Sequence, residues 1–162
     1  LAVRLEELAE AQKKTEITLN KQIERIDFLS ERLEGISNTV GYGLEDKAYE
    51  HLPELLKKDG FEVKGELIRK YFPIDGKDIQ VNIFGEAEKD GEIFQVLGEV
   101  KVRPSKKEIE RFLGIVKLLQ AKEQFKNVFL LFVAYDFPPP IVEYLHEKKI
   151  RFFWSYQLRN PR

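Results

Sequence analysis

Ile93-Phe94-Gln95-Val96-Leu97-Gly98-Glu99-Val100-Lys101 is the stretch from which the fold of this chain is best predicted. Its apolar first half is typical of a core strand, and charged residues stand at its end. Side chains of a strand alternate between the two faces, so Glu99 and Lys101 point one way and Val100 the other. Charges at the end of a core strand are costly unless they are paired or used. Glu99 and Lys101 are therefore the first candidates for a functional site.

A second predicted strand precedes this stretch and contains one more candidate polar residue. It runs from Ile79 to Phe84, and Lys89-Asp90-Gly91 supplies a turn signal between the two strands. The pair therefore predicts a hairpin with a long loop. In such a hairpin Asn82 can approach Glu99.

Residues 1–40 follow the alternating three- and four-residue spacing of a coiled coil over more than five heptads. The a positions are Leu5, Gln12, Leu19, Ile26, Leu33 and Val40, and the d positions are Leu1, Leu8, Thr15, Gln22, Leu29 and Ile36. A helix of this length extends ~60 Å at 1.5 Å per residue, too far to lie on one small domain. We therefore expect residues 1–40 to form a homo-oligomer, a dimer first of all. The alternative is a helix packed on its own domain.

The rest of the chain, residues 41–162, predicts an α/β domain. Gly41-Tyr42-Gly43 is expected to break the heptad helix before a second helix begins at Leu44. Ser105 and Glu108 form a capping box that starts a later helix. The further elements are a strand at 61–73, the hairpin at 78–103, a helix at 106–122, a strand at 127–134, a helix at 138–148 and a strand at 150–156. The predicted order is a coiled coil followed by α-β-β-β-α-β-α-β.

Composition excludes several classes of site. The formal net charge is -1, so a nucleic-acid partner would have to meet a local basic patch. The chain has no cysteine, hence no disulfide, thiolate metal site or cysteine nucleophile. No apolar run reaches the ~18 residues of a membrane span, and we expect a soluble, cytoplasmic protein. Abundant Lys and Glu fit a thermophilic source. The start at Leu1 suggests a piece of a longer protein.

Glu99, Lys101 and the element order together resemble the PD-(D/E)XK nuclease superfamily. Its signature is an acidic residue on one strand and Glu-x-Lys on the next, within an α-β-β-β-α-β core. The resemblance covers residues 41–156, with an extra α-β at the end. The coiled coil before such a domain looks like an uncharacterised branch found in archaea and other prokaryotes. The first acidic position is Asn82 here.

The resemblance implies a Mg²⁺- or Mn²⁺-dependent DNA endonuclease. In such a site the metal is held by position 82, Glu99 and the Val100 carbonyl, with Glu45 of the first helix in or behind this group. Lys101 steers or deprotonates the attacking water. Phosphates are contacted by basic residues that follow the motif, expected here to be Arg103, Lys106, Lys107 and Arg111. A solvated helix face explains these four residues equally well.

Asn82 leaves several interpretations open, because a neutral amide is a poor substitute for a carboxylate at a hard cation. The site is naturally degenerate, or an Asp was replaced by Asn to trap an inactive form, or Asp78 or Glu86 substitutes for it. A domain that has lost catalysis would act instead as a nucleic-acid or protein interaction module tethered by a coiled coil. Glu99 and Lys101 would then be a solvated ion pair near a sheet edge, and Glu45 a first-turn acid.

Overall fold

The computed structural model describes residues 2–159, without the side chains of residues 30–41. The predicted seam positions Leu1, Leu33, Ile36 and Val40 therefore lie outside the described residues. The chain divides into two compact units, Leu1–Thr39 and Val40–Arg162. The first unit is helical, and the second contains the sheet and the candidate site.

The secondary structure is mixed α/β, the class that the sequence predicts. The elements are α1 (Ala2–Lys58), β1 (Glu62–Ile74), β2 (Lys77–Lys89), β3 (Glu92–Lys101), α2 (Lys106–Lys122), β4 (Val128–Ala134), α3 (Pro139–Glu147) and β5 (Arg151–Trp154), followed by a 3₁₀ turn at Ser155–Gln157. Within the described residues no helix has both the length and the apolar character needed to cross a membrane.

The predicted helix break at Gly41-Tyr42-Gly43 is wrong, because α1 is one helix from Ala2 to Lys58. A glycine inside a helix costs only about 1 kcal/mol relative to alanine. The turns that follow bury Leu44, Ala48 and Leu52 completely. Complete burial of a leucine side chain stabilises the folded state by about 1.5–3 kcal/mol. Packing therefore outweighs the intrinsic preference of the two glycines.

The five strands form one sheet in the order β1-β2-β3-β4-β5. β2 pairs antiparallel with both β1 and β3, whereas β4 pairs parallel to β3 and β5 parallel to β4. A parallel connection needs a crossover, and α2 and α3 supply the two crossovers. The carboxyl ends of β3, β4 and β5 consequently lie along the same edge of the sheet.

Each face of the sheet is covered by helix, so the second unit has two cores. The α1 face buries, among others, Leu44, Leu52, Leu67, Ile83, Val96, Val100, Leu131 and Phe153. The face of α2 and α3 buries, among others, Phe72, Val81, Leu97, Phe112, Leu119, Phe132 and Leu145. Strands covered on both sides explain the nearly continuous apolar runs of β3 and β4.

β2 contains a bulge at Asn82. Ile68 pairs with Phe84 and Lys70 with Val81, so β2 advances three positions where β1 advances two. A bulge of this kind bends the strand and redirects its side chains. Val81 accordingly packs on the α2 side, although Ile83, two residues later, packs on the α1 side.

The hydrogen-bonded ladder between β2 and β3 ends beside the bulge. Its last pair toward this end is Ile83 with Gly98. Gly98 allows the side chains of Leu131 on β4 and Ile83 on β2 to lie close to the backbone of β3. A Cβ at position 98 would lie 2.6 Å from Leu131 Cδ1 and 3.2 Å from Ile83 Cβ. Beyond this pair β2 and β3 separate, and Asn82 lies at the fork.

Candidate active site

Asn82 joins the two strands where their ladder ends. Its Oδ1 accepts a hydrogen bond from the Val100 backbone N–H at 3.0 Å. Its backbone carbonyl accepts another from the Tyr49 hydroxyl of α1 at 2.6 Å. The side chain of Asn82 thus lies against the backbone of the Glu99-Val100-Lys101 motif, as the hairpin prediction requires.

Glu99 is buried at the end of β3, with a residue exposure of 9%. Burial raises the pKa of its carboxyl group to about 7; the Lys101 charge lowers the pKa and the Glu45 charge raises it further. Among the described residues no group donates a hydrogen bond to this carboxylate. Arg111 also acts on it favourably, and Glu108 unfavourably. Glu99 is therefore a buried acid whose negative charge is incompletely compensated.

Lys101 is engaged by the first turn of α2. Its Nζ lies 3.4 Å from Glu108 Oε2. The other oxygen of Glu108 accepts from the Ser105 backbone N–H at 3.2 Å, and Ser105 caps the helix in return. Glu108 thus has two roles, as capping residue of α2 and as the partner that fixes the direction of Lys101.

Glu45 is buried in α1, with a residue exposure of 4%, and is paired with Arg69 of β1. Its Oε2 accepts from Arg69 Nε at 2.9 Å and also from Arg69 Nη2. The Tyr49 hydroxyl lies 3.0 Å from the same oxygen. Burial first, and the neighbouring Glu45 charge second, raise the pKa of Tyr49. Glu45 is therefore neutralised by a resident guanidinium, in contrast to Glu99.

The four predicted phosphate-contacting residues have different neighbours. Arg103 pairs with Asp136 at 3.3 Å, and Lys106 Nζ lies 5.0 Å from the centre of the Tyr144 ring. Arg111 acts electrostatically on Glu99, so it belongs to the surroundings of the site. Lys107 is exposed one helical turn before Arg111. Their contact with phosphate stays a prediction.

Two residues of the site were not predicted from the sequence, Arg69 and Tyr49. The spacing of Glu45 and Tyr49 offered a signal, since residues four apart share one helix face. Arg69 gave none, because its partner lies 24 residues away in the chain. Asp78 and Glu86, the possible substitutes for the missing acid, are both exposed on β2.

The donor set suits a hard divalent cation only in part. Mg²⁺ prefers charged oxygen ligands. Glu99 supplies a carboxylate without a hydrogen-bond donor, whereas Glu45 is neutralised by Arg69 and Asn82 Oδ1 is engaged with Val100. The described residues contain no group of three or more His, Cys, Asp or Glu arranged to hold a metal ion. The carboxylate of Glu99 is thus the one strong ligand of the predicted set.

Comparison with known proteins finds no matching family model and no matching curated protein. Three solved structures are similar. A repair endonuclease from Pyrococcus abyssi is 21% identical over 66% of this chain and 42% of its own, with a TM-score of 0.44. EndoMS in its apo form is 13% identical over 75% of this chain and 47% of its own, with a TM-score of 0.43. An XisH family protein from Nostoc punctiforme is 15% identical over 76% of this chain and 97% of its own, with a TM-score of 0.37.

The chain spans less than half of the first two of these structures. All three TM-scores lie below 0.5, so the assignment of function depends on the site itself.

Proposed function

We propose that residues 41–162 form a DNA endonuclease domain of the PD-(D/E)XK type, which hydrolyses phosphodiester bonds with Mg²⁺ or Mn²⁺ and is weakened by Asn82. The observation that carries the proposal is the hydrogen bond from the Val100 N–H to Asn82 Oδ1. It brings position 82 beside Glu99 and Lys101 at the place where β2 and β3 separate. Asn82 also lies at a β-bulge, and β-bulges are over-represented next to active sites.

The roles follow from the chemistry of each group. Glu99, the Val100 carbonyl and Asn82 would hold the cation, with Glu45 behind them. When bound, such an ion polarises the phosphoryl oxygens and lowers the pKa of its water. Lys101, aimed by Glu108, orients the attacking water and offsets the charge that develops on the phosphate. Lys107 and Arg111 would contact the DNA backbone.

One observation favours a second function, a binding module without catalysis. Arg69 already neutralises Glu45, and Asn82 adds no negative charge. Glu99 alone then has to attract the cation. A nuclease-like domain in this state would bind nucleic acid or protein and cut nothing.

Asn82→Asp separates the two functions. One oxygen of aspartate can keep the hydrogen bond from Val100, and the other replaces the amide nitrogen, which donates to no group of the described residues. We expect the variant to bind Mg²⁺ more tightly and to cleave single-stranded, duplex or branched DNA at least tenfold faster than the parent. In the parent, Mn²⁺ should support more cleavage than Mg²⁺, because it stands higher in the affinity order of divalent metals.

Asn20→Asp is the matched control, since it adds the same charge to an exposed residue of the helical unit. It should leave cleavage unchanged. Adding Lys101→Ala to Asn82→Asp should abolish the gain, because residues of one site act as a unit. A revertant that is folded but binds no metal and cuts none of these substrates would establish the binding module.

We also propose that residues 1–40 form a parallel or antiparallel coiled coil with a second copy of this chain. The described seam side chains are more than half exposed on the isolated helix: Leu5, Leu8, Leu19, Ile26 and Leu29. An apolar seam of this length is typical of helices that bury it against an identical partner. The polar seam residues Gln12, Thr15 and Gln22 would then set the register.

A further inference from the structure

Tyr42 is an exposed aromatic residue beside the candidate site. It lies three positions before Glu45 in α1, on the same side of the helix. Its exposure is 49%, although it contacts a residue of the site. The Arg69 guanidinium carbon lies 4.6 Å from the centre of the Tyr42 ring. One part of this ring is therefore covered by a cation, while about half of the residue faces solvent.

The guanidinium that covers Tyr42 is itself held in place. Arg69 donates from Nε and Nη2 to the buried Glu45. Two N–H groups on one carboxylate restrict the orientation of the guanidinium plane. The attraction between a guanidinium and the face of an aromatic ring favours one orientation of the Tyr42 side chain. The ring is thus fixed before any ligand arrives.

We propose that Tyr42 is a stacking platform for an unpaired nucleobase, so that the substrate or ligand of the site is a nucleic acid with single-stranded character. The inference rests on the proposed function in one respect, that the site binds nucleic acid. A nucleobase stacks on an exposed aromatic ring whatever its sequence, and a ring with a fixed orientation loses little entropy in doing so.

An intact duplex is not the preferred ligand of this stacking platform. Bases inside a duplex have both faces covered by their neighbours and cannot stack on a protein side chain. A base stacked on Tyr42 would lie beside Arg69, the residue that pairs with Glu45. Lys101 and Arg111 supply positive charge near Glu99 for the phosphates. Stacking thus positions an unpaired nucleotide relative to the phosphodiester-binding residues.

The test is binding of an oligonucleotide that contains 2-aminopurine, measured in EDTA so that no cleavage occurs. Stacking on tyrosine quenches the fluorescence of this base, and anisotropy of a labelled strand gives the affinity. Tyr42→Ala should weaken binding of single-stranded DNA by about 5- to 150-fold, which corresponds to ~1–3 kcal/mol for one stacked base. Tyr42→Trp and Tyr42→Phe should retain binding and quenching, and duplex binding should change little.

Tyr156→Ala is the matched control, because Tyr156 is a similarly exposed tyrosine at 58% and stacks on Trp154 instead. It should bind single-stranded DNA as the parent does. The proposal is overturned if the parent does not bind single-stranded DNA, or if Tyr42→Ala binds it unchanged. Equal losses for single-stranded and duplex DNA, or failure of Tyr42→Trp to retain binding, overturn it as well.

The experiments distinguish failure of the stacking proposal from failure of the nuclease proposal. Stacking that depends on Tyr42, together with no cleavage by Asn82→Asp, retains the platform and excludes the nuclease. Cleavage by Asn82→Asp that is insensitive to Tyr42→Ala retains the nuclease and excludes the platform.

Discussion

Glu45 and Glu99 are both buried acids at the candidate site, and their surroundings differ. Arg69 neutralises Glu45 through two N–H groups, whereas Glu99 receives no hydrogen bond from the described residues. A buried carboxyl without a donor prefers its neutral form. At neutral pH the Glu99 carboxyl is therefore shared between a protonated and an ionised form, and any cation that binds there competes with a proton.

Glu99→Gln tests whether the buried Glu99 carboxylate lowers the stability of the folded chain. The pKa of Glu99 is about 7 in the folded chain against 4.5 ordinarily, so between these values the folded state binds more protons than the unfolded state. The free energy of unfolding contributed by this group therefore falls as the pH rises from ~4.5 to ~7 and stays low above that. At pH 8 in EDTA we expect Glu99→Gln to be more stable than the parent, by on the order of 3 kcal/mol at most.

Urea denaturation across the pH range measures this difference. It should disappear as the pH falls below ~4.5, where Glu99 is protonated in both states. Glu92→Gln is a suitable control, since Glu92 is exposed at the other end of β3. A parent and Glu99→Gln with parallel stability profiles from pH 4.5 to pH 8 would contradict the prediction.

The residues of the site could be predicted where one hairpin brings them together. Strand alternation and the turn at Asp90-Gly91 were sufficient to place Asn82 beside the Glu99 motif. Arg69 could not be predicted in the same way, because it lies on a strand that is irregular in its pairing with β2. Its contact with Glu45 depends on how α1 packs over the sheet, and a pattern of residue types does not contain this information.

At the scale of single elements, α2 and β2 show what a sequence pattern does and does not specify. The capping box of Ser105 and Glu108 marks the start of α2, and the helix covers the predicted range, Lys106–Lys122. Ile79, Val81 and Ile83 alternate as in a regular strand, yet β2 bulges between Val81 and Ile83. Local hydrogen bonds determine the helix end, whereas the bulge depends on pairing with β1.

Gly98→Ala tests whether the fork requires close approach of the strands. The added Cβ would lie 2.6 Å from Leu131 Cδ1 and 3.2 Å from Ile83 Cβ, inside the packed core. We expect the free energy of unfolding to fall by about 1–3 kcal/mol, as for other overpacked cores. Thermal or urea denaturation gives the value.

Gly114→Ala is the matched control within α2. A Cβ at Gly114 meets no atom within 4 Å, and alanine is the better helix former. This variant should gain up to about 1 kcal/mol. If both alanine variants shifted stability in the same direction, the steric argument for Gly98 would be wrong.

At the scale of the whole molecule, α1 runs from Ala2 to Lys58 without the predicted break at Gly41-Tyr42-Gly43. The pattern predicted an interruption because glycine is a strong punctuation signal in a sequence. Burial of Leu44, Ala48 and Leu52 has the larger effect, and burial follows from the tertiary fold. The coiled coil stays a prediction.

The coiled-coil prediction is tested by measuring the oligomeric state. Sedimentation of the full chain at tens of micromolar should give a dimer, since an exposed apolar seam over several heptads associates strongly. Ile26→Asp places a charge in the seam and should give a monomer with an unchanged circular dichroism signal from the second unit. Asp27→Asn alters the adjacent, outward-facing position and should sediment as the parent does. A full-length chain that remains monomeric at this concentration would exclude the coiled-coil dimer.

The order of the strands in the sheet has a consequence for how the second unit forms. Each strand lies next to its predecessor in the chain, so each new strand can pair with the edge formed by the strand before it. β1, β2 and β3 need only two tight turns to pair, whereas β4 and β5 must wait for the crossovers α2 and α3. Contacts close in sequence form faster than distant ones. During synthesis from the N-terminus, the meander and the fork at Asn82 can therefore assemble before the last two strands have left the ribosome.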